Sequence, residues 1–434
     1  MLTFPTGPIL VIVQGVAAWM WWVAGSYFGL DTFYSRSFQG ADTWCDPSIQ
    51  GLGVHCWGDY YSLTLAFTLN PESPYLGEYP TAYAPAGLLF IQAFNQLSLF
   101  FGQPAMGLVL YLGLMISTIS WSIWNGTFGL KLENRIVLFA TLTLFAPPII
   151  MVLDRGNTVG FLVPLLIWYF QALRDGKNSQ IVVAVALMSI IKPHFGILVI
   201  ALFISGKVLV ALKSALMVGI VNVLPFLIIW GNEFPTYMNQ WLLVFFGYQG
   251  VSSPSNPFPT NISFSHSSLI IATGFNNSGL ADFTLFLSWV EKGYGLIGFA
   301  VGVMLLLMVL VFRLSLSQTQ ISILVVSCIC LLSGTTFLYY AVFVIPVLLT
   351  FLTKTGKNGP LESSTESTSK RVSNQPIQLI LWLASVATLV QFPIFNLTQG
   401  SSIVTTSSLI GGVWLSAYIA IAIALVIQKV HERK

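Results

Sequence analysis

Charge is what this chain has least of: 8% of its 434 residues are Asp, Glu, Lys or Arg. A water-soluble domain carries roughly a quarter. A soluble protein built from this composition would expose more contiguous apolar surface than water tolerates. Cysteine is equally sparse, with four residues and no Cys-x-x-Cys pair, which argues against a zinc ribbon or a disulfide scaffold. The net charge is only +3 and no dense Lys/Arg patch occurs, so nucleic acid is not an expected partner. No glycine-rich phosphate loop is present, and neither a metal nor an organic cofactor is expected.

What the chain has in abundance is apolar sequence: 55% hydrophobic residues and a mean hydropathy of +0.80. The expected fold is therefore an all-α polytopic membrane protein. Apolar windows of span length fall at roughly 8–30, 82–101, 105–124, 135–153, 159–173, 181–204, 208–230, 294–312, 320–334, 336–352, 377–396 and 408–428, which predicts about twelve transmembrane helices. The first window is too long for a signal-peptide core and no small-residue cleavage site follows, so it reads as a retained helix. Three polar stretches interrupt the pattern: residues 31–81, residues 231–292, and the low-complexity segment 353–376, expected to be a disordered linker. These divide the chain into a core over 1–352, that linker, and a C-terminal hairpin with a basic tail over 377–434.

Sidedness follows from the basic residues. Lys354, Lys357, Lys370 and Arg371 in the linker, Arg313, and the tail residues Lys429, Arg433 and Lys434 belong in the cytoplasm. Stretch 31–81 holds six acids against the single Arg36 and belongs outside with stretch 231–292. A twelve-span count puts Lys131/Arg135 and Arg174/Lys177 on the outer side, against the positive-inside bias. A second arrangement restores it: 181–204 becomes a broken hairpin turning at Lys192–Pro193, and 82–124 crosses once. Cys45 and Cys56 share the first outer stretch, where a disulfide, free thiols and metal ligation all remain open.

Four sites carry chemistry. Asp59 sits in HCWGDYYSL, an acid among aromatics at the start of an outer stretch, where a general base would meet a lipid-borne substrate; a solvated loop acid is the ordinary alternative. Lys192, in MSIIKPHFGILVI, is a cation at bilayer depth, which costs about 2.5–3.5 kcal/mol even on the lenient insertion scale. Its neighbour Pro193 breaks the helix. A cation there fits an anion that travels in the membrane, such as a lipid phosphate; a structural ion pair is the plainer reading. Asp154–Arg155–Gly156–Asn157 is a charged turn whose Asp and Arg are able to neutralise each other. His266, in NISFSHSSLI, is one of four histidines and shares the outer face with Asp59.

The order of these blocks resembles the GT-C membrane glycosyltransferases, specifically family 87 of the glycosyltransferases. Three stretches carry the likeness: GDYYSLTLAFTLNPESPYLGEYPTAYAPAGLLF, the DRGN…KPHFGILV block from 154 to 199, and SHSSLI; TTFLYYAVFVIPVLL is a weaker match. The resemblance implies a GT-C-like bundle with two long extracytoplasmic loops. It implies transfer of a sugar, mannose first and arabinofuranose second, from a polyprenyl-phosphate donor to a lipid-linked or polysaccharide acceptor with inversion. In that reading Asp59 is the catalytic base and His266 orients the acceptor or supports the base. Lys192 and Arg155 stabilise the leaving phosphate, with Asn157, Tyr60 and Tyr83 also at the substrate, and the tyrosines (Tyr61 and Tyr75 among them) stacking on sugar rings. The site is expected to face the extracytoplasmic side of the cell membrane, in contact with membrane lipids. A secondary transporter or a lipid-linked saccharide flippase is the alternative, although one KP break without a counterpart in the second half is unlike the paired interruptions of transporters.

Overall fold

The computed structural model describes residues 11–17, 19, 57–69, 73–76, 80–247, 261–277, 282, 284–332, 336–353, 375–394 and 404–432. Most of the first window, Cys45, Cys56 and linker residues 354–374 lie outside these residues. The architecture is helical. In chain order, α1 is Gly58–Leu69, α2 Pro85–Phe101, α3 Pro104–Gly126, α4 Leu132–Thr143, α5 Pro147–Arg155, α6 Leu162–Arg174, α7 Asn178–Ile191 and α8 Leu198–Ile204. There follow α9 Val208–Trp230, α10 Phe234–Gly247, α11 Phe264–Asn277, α12 Thr284–Val311, α13 Gln318–Leu331, α14 Val344–Thr353, α15 Gln375–Leu389 and α16 Ile410–Glu432. The described strands are two residues each, Pro393–Ile394 antiparallel to Val404–Thr405.

Among the described residues, three helices are long and apolar enough to cross a membrane: Ala105–Gly126, Val208–Phe245 and Ile410–His431. A fourth crossing arises if α4 and α5, bent by 50° where Pro147 and Pro148 open α5, count as one span. Eight further apolar stretches among the described residues, Gly298–Val311 of the 28-residue α12 included, are 10–17 residues long, short of the roughly 20 residues that a bilayer core requires. Apolar windows thus locate most helices, and three or four of them are clear spans among the described residues. The polar stretches are also more structured than expected. Residues 58–69 form α1, and 231–292 contains α10, α11 and the start of α12.

Proline and glycine place the breaks. Proline opens α2, α3 and α5, where its missing N–H is no loss. Between α2 and α3, Gly102 adopts φ 61°, the left-handed cap that glycine allows without strain. The two helices then fold against each other so closely that a Cβ on Gly107 would collide with the Phe94 carbonyl, and the Gly107 amide donates to Ser98 Oγ at 2.7 Å. Lys192 is extended (φ −144°, ψ 109°) and ends α7; Pro193–Ile197 is a 3₁₀ turn leading into α8.

Segment 178–204 is a hairpin. Lys207, just past α8, reaches back to Asn178 at the start of α7, Nζ to Oδ1 3.4 Å. Helix α9 packs against both arms: Asn222 donates to Ser189 Oγ at 3.0 Å, while Val218 lies beside Gly196. The tip, with Ile190 and Lys192, meets Gly87 and Tyr83 at the start of α2. The broken hairpin at Lys192–Pro193 of the second arrangement is thus present, while 82–124 folds as two helices, α2 and α3.

The bundle consequently has two unlike ends. Helices α3 and α6 run in the same direction: Tyr111 meets Phe161 (ring centroids 5.6 Å apart), and Asn125 and Gln171 line one groove further along. Gln171 is followed by Arg174 and Lys177, and Trp124 by Lys131 and Arg135, whose guanidinium donates to the Trp124 carbonyl at 3.1 Å. Tyr169 and Ser322, joined at 3.0 Å, bring the start of α13, and hence Arg313, to that end. Lys429 lies over the ring of Phe312 at 5.2 Å. The basic residues therefore gather at one end and the Asp59 region at the other.

The C-terminal helices are part of the core. Tyr418 of α16 bonds Ser327 and Cys328 of α13, and Trp414 Nε1 donates to Thr388 Oγ1 of α15 at 2.9 Å. Ser267 of α11 donates to the Ser408 carbonyl at 2.8 Å.

Candidate functional site

The site forms where four separated segments meet at the less basic end. Asp59 enters on the first turn of α1, where a carboxylate is favoured by the helix dipole. Arg155 is the last residue of α5 and Gly156 its left-handed cap (φ 61°). Asn157 follows, using Oδ1 to accept from the Val159 amide at 2.9 Å and so capping a short 3₁₀ turn. Lys192 stands at the tip of the α7–α8 hairpin, and Tyr83 ends the segment before α2.

Asp59 and Arg155 form a two-pronged ion pair: Nη2 to Oδ1 2.6 Å and Nε to Oδ2 2.8 Å. Such fork-to-carboxylate pairs are among the strongest polar contacts in proteins. Asn157 Nδ2 also donates to Asp59 Oδ2, at 2.7 Å. The side chains of Arg155 and Asp59 remain 14% and 19% exposed, so the pair is sheltered yet reachable. Burial pushes the Asp59 carboxyl up, but the Arg155 charge and hydrogen bonds, the Asn157 amide and the Lys192 charge outweigh it and hold the group below its ordinary 3.8. Asp59 is ionised throughout the neutral range.

Lys192 differs. Its Nζ lies 3.8 Å from the centroid of the Tyr83 ring and 5.8 Å from that of Tyr340, a cation held by π faces. Such contact is weak compensation for an ammonium removed from water. The Tyr83 hydroxyl accepts from Thr158 Oγ1 at 2.9 Å, which fixes the ring beneath the ammonium. Thr158 follows Asn157, which holds Asp59, and bonds the Tyr83 that lies under Lys192, so carboxylate, guanidinium and ammonium share one small region.

Two tyrosines stand differently from their expected role. Tyr60 is 2% exposed and packs against Tyr61 and Tyr111, with ring centroids 5.4 and 5.1 Å away. No face remains for a sugar, because α1, packed on α2, turns this side inward toward Tyr111 of α3. Tyr75 is likewise 1% exposed, enclosed with Phe226 and Trp230. Tyr61, half-buried, keeps accessible surface.

His266 occupies a separate position. It lies in the first turn of α11, 1% exposed, with neither ring nitrogen hydrogen-bonded, and no hydrogen bond or ion pair joins it to Asp59. Burial pushes its imidazole down to about 4, so it is neutral. Its neighbour Asn261 uses Oδ1 to accept from the Thr336 amide at 3.0 Å, and Ile262 donates to the Thr336 carbonyl at 2.7 Å. The His266 segment thereby anchors the strip Phe337–Tyr339–Tyr340, whose rings succeed one another at 5.5 and 5.1 Å. The strip ends at Lys192.

Tyr111, Thr158, Tyr339, Tyr340 and Gly156 join the site without having been singled out individually. Tyr111 donates to the Gly156 carbonyl at 3.0 Å and fixes the turn that presents Arg155 and Asn157. A Cβ on Gly156 would stand 3.0 Å from Tyr60 Cβ in a left-handed conformation that costs an L residue about 1–2 kcal/mol. Gly156→Ala should therefore lower the melting temperature measurably and loosen the Asp59–Arg155 contact; an unchanged thermal melt would show that the turn has slack. Among the described residues no group of three or more His, Cys, Asp or Glu is placed to hold a metal.

No family model, no curated protein and no solved structure matches the chain.

Proposed function

We propose that the protein is a membrane glycosyltransferase that moves a sugar from a polyprenyl-phosphate carrier to a lipid-linked or cell-envelope glycan acceptor. The observation that carries this reading is the meeting of Asp59, Arg155 and Lys192 from distant segments at one end of an apolar bundle. Mannose is the first expected sugar and arabinofuranose the second. The basic end, with Lys131, Arg135, Arg174, Lys177, Lys207 and Arg313, faces the cytoplasm by the positive-inside bias, and the Asp59 end opens to the extracytoplasmic side.

The chemistry divides between two charges. An acceptor hydroxyl attacks the anomeric carbon from the face opposite the phosphate; the C–O bond to phosphate breaks and configuration inverts. The phosphate departs with the bonding electrons, and Lys192 stabilises the charge it gains. Asp59 receives the hydroxyl proton. A carboxylate held by Arg155 and Asn157 is a weak base. The incoming donor phosphate competes for Arg155, and each contact it takes from Asp59 raises the basicity of that carboxylate. Donor binding and base activation are thus one event. His266 is as buried as Tyr60, so its part in this reading is to support the segment that anchors the Tyr339–Tyr340 strip.

The test is direct. Purified protein incubated with a panel of radiolabelled polyprenyl-phosphate sugars and candidate acceptors should release polyprenyl phosphate and yield an inverted glycoside from at least one pair. The hairpin tip at Lys192 also resembles the interrupted helices of secondary transporters. Protein in liposomes that carries a solute or flips a lipid-linked sugar, with no glycoside from any donor, would replace the enzymatic reading with that one.

A further inference from the structure

The geometry points to a second lipid site, far from Asp59: a groove between α3 and α6 that seats an anionic glycerophospholipid from the leaflet at the basic end. The groove has a volume of about 510 Å³ and is lined by Ser117, Thr118, Trp121, Ser122, Pro164, Ile167 and Trp168, with Asn125 and Gln171 at its lower end. This inference is independent of the catalytic reading.

Its walls suit hydrocarbon despite the hydroxyls. Thr118 donates to the carbonyls of Leu114 and Met115 at 2.9 and 3.0 Å, and Ser122 donates to that of Ile119 at 2.8 Å, so both side chains are spent on their own helix. Trp168 Nε1 is committed to Gln180 Oε1 at 3.3 Å. Trp121, 71% exposed, flanks the groove as an indole does at headgroup depth.

The lower end is different. Asn125 is exposed and Gln171 half-exposed, and neither carboxamide has a hydrogen-bond partner among the described residues. Arg174 follows Gln171 by three residues, on the same helix face, with its side chain 39% exposed. Asp175 pairs with it at 3.1 Å, and Lys177 adds a cation 3.7 Å from the same carboxylate. Lys131 and Arg135 stand just past α3, and Lys207 and Arg313 lie at the same end of the bundle, against Glu133 and Asp175. The excess of cations favours a negative headgroup over a zwitterionic one, as juxtamembrane basic clusters do. Acyl chain in the groove, phosphate at the carboxamides and Arg174: each part of a phospholipid meets its match.

Native mass spectrometry of the full chain in detergent, titrated in parallel with phosphatidylglycerol, phosphatidylcholine and polyprenyl phosphate, tests this. Wild type should retain one more phosphatidylglycerol than phosphatidylcholine at equal concentration. Ser122→Phe, which fills the groove from a lipid-facing position, should lose that molecule, and Arg174→Gln should weaken its retention several-fold, while both variants run as monodisperse peaks of wild-type elution volume. Equal retention of both phospholipids, unchanged retention in Ser122→Phe, a preference for polyprenyl phosphate at this site, or a lipid-free dimer abolished by Ser122→Phe would each overturn the proposal. Should Ser122→Phe fail to fold, the headgroup preference and Arg174→Gln decide.

Discussion

Asp59→Asn is expected to insert and purify normally yet lose sugar transfer by roughly 10²–10⁴-fold, the span assigned to a positioned general base. Asparagine is nearly isosteric and its oxygen still accepts from Arg155, so the α1–α5 contact survives in weakened form. What disappears is the proton acceptor. The loss should appear in turnover, with apparent donor affinity little changed or improved, because Arg155 is released toward the phosphate. Radiometric transfer assays at saturating donor measure this. Near-normal turnover would leave Asp59 as only the clamp of Arg155. The wild-type rate should fall at acid pH as Asp59 is protonated. Since Arg155 lowers the carboxyl's affinity for protons in the free enzyme, that acid limb should lie lower when donor is limiting than when it saturates and draws Arg155 away.

Lys192→Met should weaken donor binding by roughly 10- to 100-fold, the worth of about 1.5–3 kcal/mol for a hydrogen bond to a charged group. Methionine keeps the length of the side chain and its contact with the Tyr83 ring, so the hairpin tip should fold. The ammonium rests on aromatic faces, without an ion pair within 4.0 Å among the described residues, which leaves it available to an anion. Titration of a non-transferable polyprenyl-phosphate analogue, followed by tryptophan fluorescence or thermal shift, gives the affinity. An unchanged value would return Lys192 to a structural role at the tip.

Local sequence made much of this architecture legible. The windows at 159–173 and 208–230 coincide closely with residues 158–174 and with α9, because a long apolar run commits its backbone to internal hydrogen bonds wherever water is scarce. The KP break was equally readable: Pro193 has no N–H to continue α7. The polar stretches were harder. Helix α1 lies in an acidic, aromatic stretch and α10 and α11 in an Asn-, Ser- and Pro-rich one, and they owe their stability to packing: α1 rests on α2, and α10 on α9. Crossing number was harder still. Helices of 10–17 apolar residues satisfy the same composition as spans and differ from them only in length. In the Asp59 site, the acid, the arginine and the lysine each stood out singly. That Arg155 turns to Asp59, 96 residues away, was not readable, since its neighbour Asp154 satisfies the same pattern.

By itself the sequence determined the solvent this chain is built for, the positions of its helix breaks and the identity of its few ionisable groups, because composition and backbone chemistry act over a turn or two. Tertiary structure decided which charges meet, that Tyr60 and Tyr75 face inward, and that scattered lysines and arginines collect at one end. Those outcomes depend on how helices fold back on one another, and pairing across a hundred residues leaves no periodic trace along the chain.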